Sequence, residues 1–267
     1  MNIYLTQGGI GKTIAFTSIL DKIQESICIS TYYPEIFKNI SKIDTIYPPL
    51  TIGDDYSNIF FKNFNEVIYH DPYHGNFLKG QTHLIEAFHE KYNLVCDELY
   101  HNIKIEDIES KKYSEMIDQL DSFVLVQFTG SDIDNNINID VLGTRNLRLK
   151  TSQEIINILH NDFKINVLEV NNGQRQFENT VIINNRTLNY RDYLNLMRYC
   201  KSFISIDSCL NHMSAFKQKP KKGVCLFRSK EYAKLWEYPH NINLYSEIPL
   251  QMKFSTQTIV DQLSTLL

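Results

Sequence analysis

Strand-like apolar runs alternate with helix-like stretches along most of this chain. In the first half, strands are expected near Ile3–Thr6, Ile27–Ser30 and Val67–Tyr69, and helices near Thr13–Gln24 and Thr82–Tyr92. A polar, charged stretch from Asp97 to Gln119, helical in its later part, precedes the apolar run Phe123–Phe128. The alternation then resumes, with strands near Asn166–Glu169, Val181–Asn184, Phe203–Ile206 and Gly223–Phe227. Helices are expected over Ser152–His160, Tyr190–Cys200, Asn211–Phe216 and Thr256–Leu266. Alternating strands and helices predict an α/β protein with parallel sheets, because parallel neighbours need a crossover, usually a helix. The pattern divides into two Rossmann-like units, 1–121 and 122–267, with the boundary near Ser122 and a cleft between them.

Composition narrows this picture only slightly. With 267 residues and 43% hydrophobic content, the chain can bury a core of either one large domain or two small ones. The net charge of −4 gives no global attraction to nucleic acid. Five cysteines (Cys28, Cys96, Cys200, Cys209, Cys225) without framework spacing point to a reducing compartment. The amino terminus enters a strand directly, without a basic segment and long apolar stretch, and no later segment is long enough to span a membrane. A cytoplasmic location is therefore expected. Abundant Ile, Asn, Lys and Tyr, with only 10 Gly and 7 Pro, fit AT-rich codon usage.

Two turns carry candidate chemistry. Ser205–His212 runs off an apolar strand into a helix, with Asp207 and Ser208 at the strand's carboxyl end and Asn211 and His212 in the first helical turn. Such a turn favours a phosphate. Thr6-Gln7-Gly8-Gly9-Ile10-Gly11-Lys12-Thr13 nearly spells a nucleotide-hydrolysing P-loop, but Thr6 stands where the first glycine belongs. Val67–Asp71, the one loose candidate for a magnesium-binding strand, is followed at once by Pro72. The glycines would also serve a plain strand-to-helix turn.

Taken with its surroundings, the second turn resembles the nucleotide-sugar site of the ADP-heptose:lipopolysaccharide heptosyltransferase family, glycosyltransferases of the GT-B fold. The likeness covers roughly the last half of the chain. It includes Phe123–Gly130 with Ser131, the basic Arg148 and Lys150, Thr187–Leu194, Cys200–Ile206, and Asp207-Ser208-x-x-x-His212-x-x-Ala215. Lys219-Pro220, Cys225–Phe227 and Trp236–Pro239 follow in order. In the first half, Gly8–Leu20 is similar to the family's opening glycine-rich loop and helix, with Gly11-Lys12 replacing Gly-Asp. The resemblance implies two Rossmann-like domains facing across a cleft, acceptor in the first and donor in the second. It also implies a nucleotide-diphosphate sugar donor, no obligatory metal or other cofactor, and transfer with inversion to an acceptor hydroxyl of glycan or lipopolysaccharide type. Donor-binding residues would be Thr129, Gly130, Ser131, Arg148, Lys150, Asp207, Ser208, Asn211 and His212, and the acceptor or phosphate loop Gly8, Gly9 and Gly11.

The family's aspartate is the expected base for the acceptor hydroxyl, and an unperturbed lysine titrates about four units too high for that task. Lys12 would then bind a phosphate or take a new catalytic role. Asp71, at a strand's carboxyl end beside His70, is the substitute base; Asp54 and Asp55 in a G-D-D turn are weaker ones. His83, Glu86 and His89 have helical spacing but no metal-site motif. A phage-type enzyme glycosylating a hydroxymethylated DNA base would need a basic face, for which Lys12, Lys79, Lys111, Lys112, Lys217, Lys219, Lys221 and Lys222 are available. A P-loop NTPase and a catalytically dead sugar-nucleotide binding module are the remaining readings.

Overall fold

The computed structural model describes residues 1–6, 8–51, 53–69, 71–103, 112–130, 145–171, 175–248 and 251–267. Gln7, His70, Lys111 and Ser131, named above, lie outside the described residues. Two all-parallel sheets form the framework. The first, in the order β3-β2-β1-β4, contains β1 (Asn2–Thr6), β2 (Ile27–Thr31), β3 (Ile43–Tyr47) and β4 (Val67–Tyr69). The second runs β10-β9-β8-β5-β6-β7, with β5 (Phe123–Gln127), β6 (Asn166–Asn171), β7 (Val181–Asn184), β8 (Ser202–Ile206), β9 (Gly223–Phe227) and β10 (Ile242–Tyr245). The inner strands β1, β2, β5, β8 and β9 are buried at every residue. That is the burial a parallel sheet covered on both faces requires, and it explains their nearly continuous apolar sequences.

Helices α1 (Ile10–Phe16), α4 (Leu84–Lys91), α7 (Tyr190–Tyr199) and α8 (Cys209–Met213) pack between the sheets, α1 directly on α8. One apolar cluster runs without interruption from Tyr4 and Ile29 of the first sheet through Phe16, Phe88 and Met213 to Leu125, Phe203 and Phe227 of the second. Smaller clusters cover the outer faces. Leu50 and Phe61, the last residue of α2 (Asp55–Phe61), back β1; α6 (Leu149–Asn161) and α10 (Thr256–Ser264) back β5, β8 and β9.

Three expectations shift. The helix foreseen over Thr13–Gln24 is α1 followed by a 3₁₀ segment, Thr17–Lys22. Thr17 Oγ1 donates to the Ile14 carbonyl at 2.8 Å, a local competitor for regular helix bonding. The helix foreseen over Asn211–Phe216 begins earlier and is shorter, as α8. Strands β3 and β10 and helices α2, α3 (Gly75–Leu78) and α9 (Lys230–Ala233) lie outside the expected elements, while α5 (Ser114–Leu120) is the helical later part of the polar stretch. No helix among the described residues is long and apolar enough to cross a membrane.

Candidate active site

In open α/β sheets a crevice opens outside the carboxyl ends of the strands where strand order reverses. In the first sheet that point lies between β1 and β4, so it is built by Gly8–Lys12 and Asp71–Tyr73. In the second it lies between β5 and β8, built by Thr129–Gly130 and Asp207–Cys209. The two points face each other across a cavity of about 410 Å³. Gly9, Ile10, Gly11, Lys12, Tyr33 and Tyr73 form its first wall; the second includes Gln127, Gly130, Arg145, Tyr193, Asp207, Ser208, His212, Tyr232 and Trp236.

The first wall begins with Gly8, whose φ of +110° is a backbone conformation that a side chain would strain. Gly9 then caps α1 in extended geometry. Gly11 has a different constraint, since a Cβ there would collide with the His212 imidazole of the opposite wall. Lys12 is largely buried, with its ammonium 3.8 Å from Asp71 Oδ1 and 5.0 Å from the centre of the Tyr73 ring. Burial pulls the Lys12 pKa below its ordinary value, and Asp71 opposes that shift. Lys91 reaches from α4 to donate to the carbonyls of Tyr69 (2.8 Å) and Asp71 (3.0 Å), while Asp71 Oδ1 accepts from the Tyr73 amide at 3.0 Å. The Asp71 loop is thus held by the Lys91 side chain and by the bond from the Tyr73 amide to the Asp71 carboxylate. The Thr13 hydroxyl is turned onto the Gly9 carbonyl at 3.4 Å. The P-loop-like sequence is therefore the β1–α1 turn of this fold, with its lysine on Asp71 and its hydroxyl directed inward.

Short hydrogen bonds hold the second wall. Ser208 Oγ donates to Gln127 Oε1 at 2.6 Å and lies 2.8 Å from Ser205 Oγ, and Gln127 Nε2 donates to the Thr129 carbonyl. Arg145 donates to the Asp207 carbonyl at 3.2 Å and sits 4.0 Å from its carboxylate. The Tyr232 hydroxyl lies beside Asp207, and the Arg228 guanidinium lies 4.4 Å over its ring. Burial, then the Asp207 charge, raises the Tyr232 phenol to about 12, so it stays protonated. Burial likewise pushes the Cys209 thiol up to about 12, so it is no nucleophile at neutral pH. His212 Nδ1 is 2.9 Å from the Tyr238 hydroxyl; burial and then Arg145 lower its pKa to about 4, which leaves the imidazole neutral.

Lys12, Gly9, Gly11, Gly130, Asp207, Ser208 and His212 come together at this cavity. Asp71 stands behind Lys12, half-exposed. Other expected site residues lie elsewhere. Asn211 is fully buried, donating to the Trp236 carbonyl at 2.7 Å and accepting from Asn241 at 3.2 Å, so it fastens α8 and does not line the cavity. Arg148 and Lys150 are exposed at the start of α6, with Lys150 3.9 Å from Glu154. Thr129 is buried and outside the lining. Of the basic residues near that point, the cavity takes Arg145, three positions upstream. Sequence reasoning missed it, along with Gln127, Tyr33, Tyr73, Tyr193 and Tyr232. The available signal for Gln127 was a polar residue inside the apolar run Phe123–Phe128. The lysines considered for a DNA-binding face do not all join one. Lys12 is in the cavity, Lys112 donates to the Thr187 carbonyl, and Lys221 to those of Arg198 and Cys200.

Two parallel sheets that meet at their switch points across a shared cavity define the GT-B arrangement of glycosyltransferase structures. Among solved structures, the chain is similar to a glycosyl transferase family 9 protein from Veillonella parvula, with a TM-score of 0.67, 10% identity, and coverage of 99% of this chain and 96% of that one. It is also similar to E. coli heptosyltransferase WaaC with ADP (TM-score 0.64, 9% identity, 100% and 99% covered) and to E. coli ADP-heptose lps heptosyltransferase II (0.64, 10%, 99% and 98%). At such identities the likeness is one of fold. No protein-family model and no curated protein matches the chain.

Proposed function

We propose that the protein is a glycosyltransferase that moves a sugar from a nucleotide-diphosphate sugar to an acceptor hydroxyl. The observation that carries this reading is the single cavity between two switch points, with a cation on each wall: Lys12 on one, Arg145 on the other. Under this reading, residues 122–267 hold the donor and 1–121 the acceptor. As the bond from the anomeric carbon to the donor phosphate breaks, negative charge grows on the departing diphosphate. In this reading the largely desolvated positive charges of Arg145 and Lys12 stabilise it, with no obligatory metal. The acceptor oxygen attacks from the opposite face, inverting the anomeric centre, and gives its proton to Asp71. The Lys12 ammonium beside Asp71 orients that carboxylate and meets an anionic oxygen of either substrate. An acceptor of glycan type fits Tyr33 and Tyr73 of the first wall, since sugar faces stack on aromatic rings.

The test is release of nucleoside diphosphate and thermal stabilisation across a panel of nucleotide sugars, with EDTA present. A nucleoside diphosphate should stabilise the wild type, and Arg145→Met should weaken that binding about tenfold or more, as expected for loss of a charge-assisted hydrogen bond. In a parallel series without EDTA, stabilisation by Mg-ATP alone, lost in Lys12→Ala and kept in Arg145→Met, would overturn the reading.

A further inference from the structure

Tyr238, between α9 and β10, lies outside the lining of the main cavity and is fully buried. Its position is set from both units. Its carbonyl accepts from the Asn241 amide (3.2 Å) and from the Asn243 side chain (3.1 Å), and its ring meets His83 of the first unit edge-on, with ring centres 4.8 Å apart. The phenol oxygen lies 2.9 Å from Nδ1 of His212.

That contact decides where the imidazole carries its proton. Burial keeps the Tyr238 hydroxyl protonated and His212 neutral. A buried O–H without an acceptor is costly, and among the described residues this one has a single acceptor, His212 Nδ1. The phenol therefore donates to Nδ1, and the one N–H of the neutral ring is at Nε2. The reverse arrangement, with Nδ1–H donating to the phenol oxygen, would bury the phenol proton unpaired.

The ring edge that bears Nε2 faces the opposite wall. A Cβ built on Gly11 would lie 2.4 Å from His212 Cδ2 and 3.1 Å from Nε2, so this edge abuts the β1–α1 turn next to Lys12. Arg145, near enough to lower the His212 pKa, lines the same cavity. An N–H at this point adds to the two cations in attracting an anionic oxygen, whereas a lone pair there would repel it. We propose that Tyr238 is a positioning residue that locks His212 in the Nε2–H tautomer, so that the imidazole gives a neutral hydrogen bond to the diphosphate of the sugar donor. The identity of the anion rests on the glycosyltransferase reading; the tautomer lock is a property of the protein alone.

Nitrogen-15 NMR of the histidine-labelled full chain, with and without ADP, UDP, GDP and CDP, tests both parts. Without ligand, His212 should show a bare Nδ1 and a protonated Nε2, and the nucleotide that binds should shift the Nε2 proton downfield. Tyr238→Phe removes one oxygen and keeps the ring. It should draw the two His212 nitrogen resonances toward each other as the tautomers mix, and raise the Kd for that nucleotide about three- to tenfold. A purely structural role would lower the unfolding midpoint and leave the tautomer as in the wild type. His212→Gln, whose amide nitrogen can take the place of Nε2, should bind the nucleotide more tightly than His212→Asn, whose amide reaches only the Nδ1 position. The lock is overturned if ligand-free His212 carries its proton on Nδ1, or if Tyr238→Phe leaves either the resonances or the Kd unchanged. If the wild type binds none of the four nucleotides, the donor reading falls, and His212 loses its assigned anion whatever its tautomer.

Discussion

The two walls of the main cavity are built to different tolerances. On the second wall, Ser208 meets Gln127 at 2.6 Å and Ser205 at 2.8 Å, and both partners are buried. On the first wall the carboxylate of the ion pair, Asp71 at 3.8 Å from Lys12, is half-exposed, whereas that of the second wall's pair, Asp207 at 4.0 Å from Arg145, is buried. A network of short buried bonds is fixed before any ligand arrives, whereas a half-solvated ion pair can open and re-form at small cost. Under the proposed function, the second wall would hold the donor and the half-exposed Asp71 of the first would meet the acceptor.

The largest expected effect comes from the looser wall. Asp71→Asn should lower kcat for transfer by about 10²-fold or more, as loss of a general base does, while nucleoside diphosphate affinity measured by calorimetry stays near wild type. An equal loss of donor affinity would erase the distinction between the walls. Next is the seam where they meet. Gly11→Ala forces a methyl group against His212 and should destabilise the protein by about 1–3 kcal/mol in denaturant titration. A neutral result would mean the walls can separate freely.

A smaller, distributed effect should appear in acid. His83 and His101 on the first side, and His212 and His240 on the second, have pKa values lowered chiefly by burial to about 3, 3, 4 and 4. In the unfolded chain they bind protons near 6.5, so below that pH the unfolded state holds more protons and stability falls. Their contribution is complete above about pH 6.5 and is lost progressively toward pH 4. The midpoint of thermal unfolding should therefore drop by on the order of 5–10 °C between pH 7 and pH 5. A flat profile would show that water already reaches these rings.

What the sequence disclosed follows the same division. Strands β1, β5, β8 and β9 were legible because burial on both faces demands continuous apolar runs such as Phe-Val-Leu-Val. Strand β3, Ile-Asp-Thr-Ile-Tyr, sits at a sheet edge with no residue fully buried, so its pattern is too polar to stand out. Asp207, Ser208 and His212 were legible as a motif because they are neighbours in sequence. Arg145 belongs to the same site, but the fold brings it to Asp207 from 62 residues upstream, which local spacing does not encode. Asn211 misled for the opposite reason: it is adjacent to the motif in sequence, yet α8 turns it into the core.

The apolar cluster that runs unbroken from one sheet to the other also bears on heredity. Phe16 and Phe88 on one side, and Phe203 and Met213 on the other, bury one another's surface, so neither half presents a finished exterior alone. A recombination event near residue 122 would separate two surfaces shaped to each other. The halves are therefore expected to be inherited as a pair, each constraining which substitutions the other can accept.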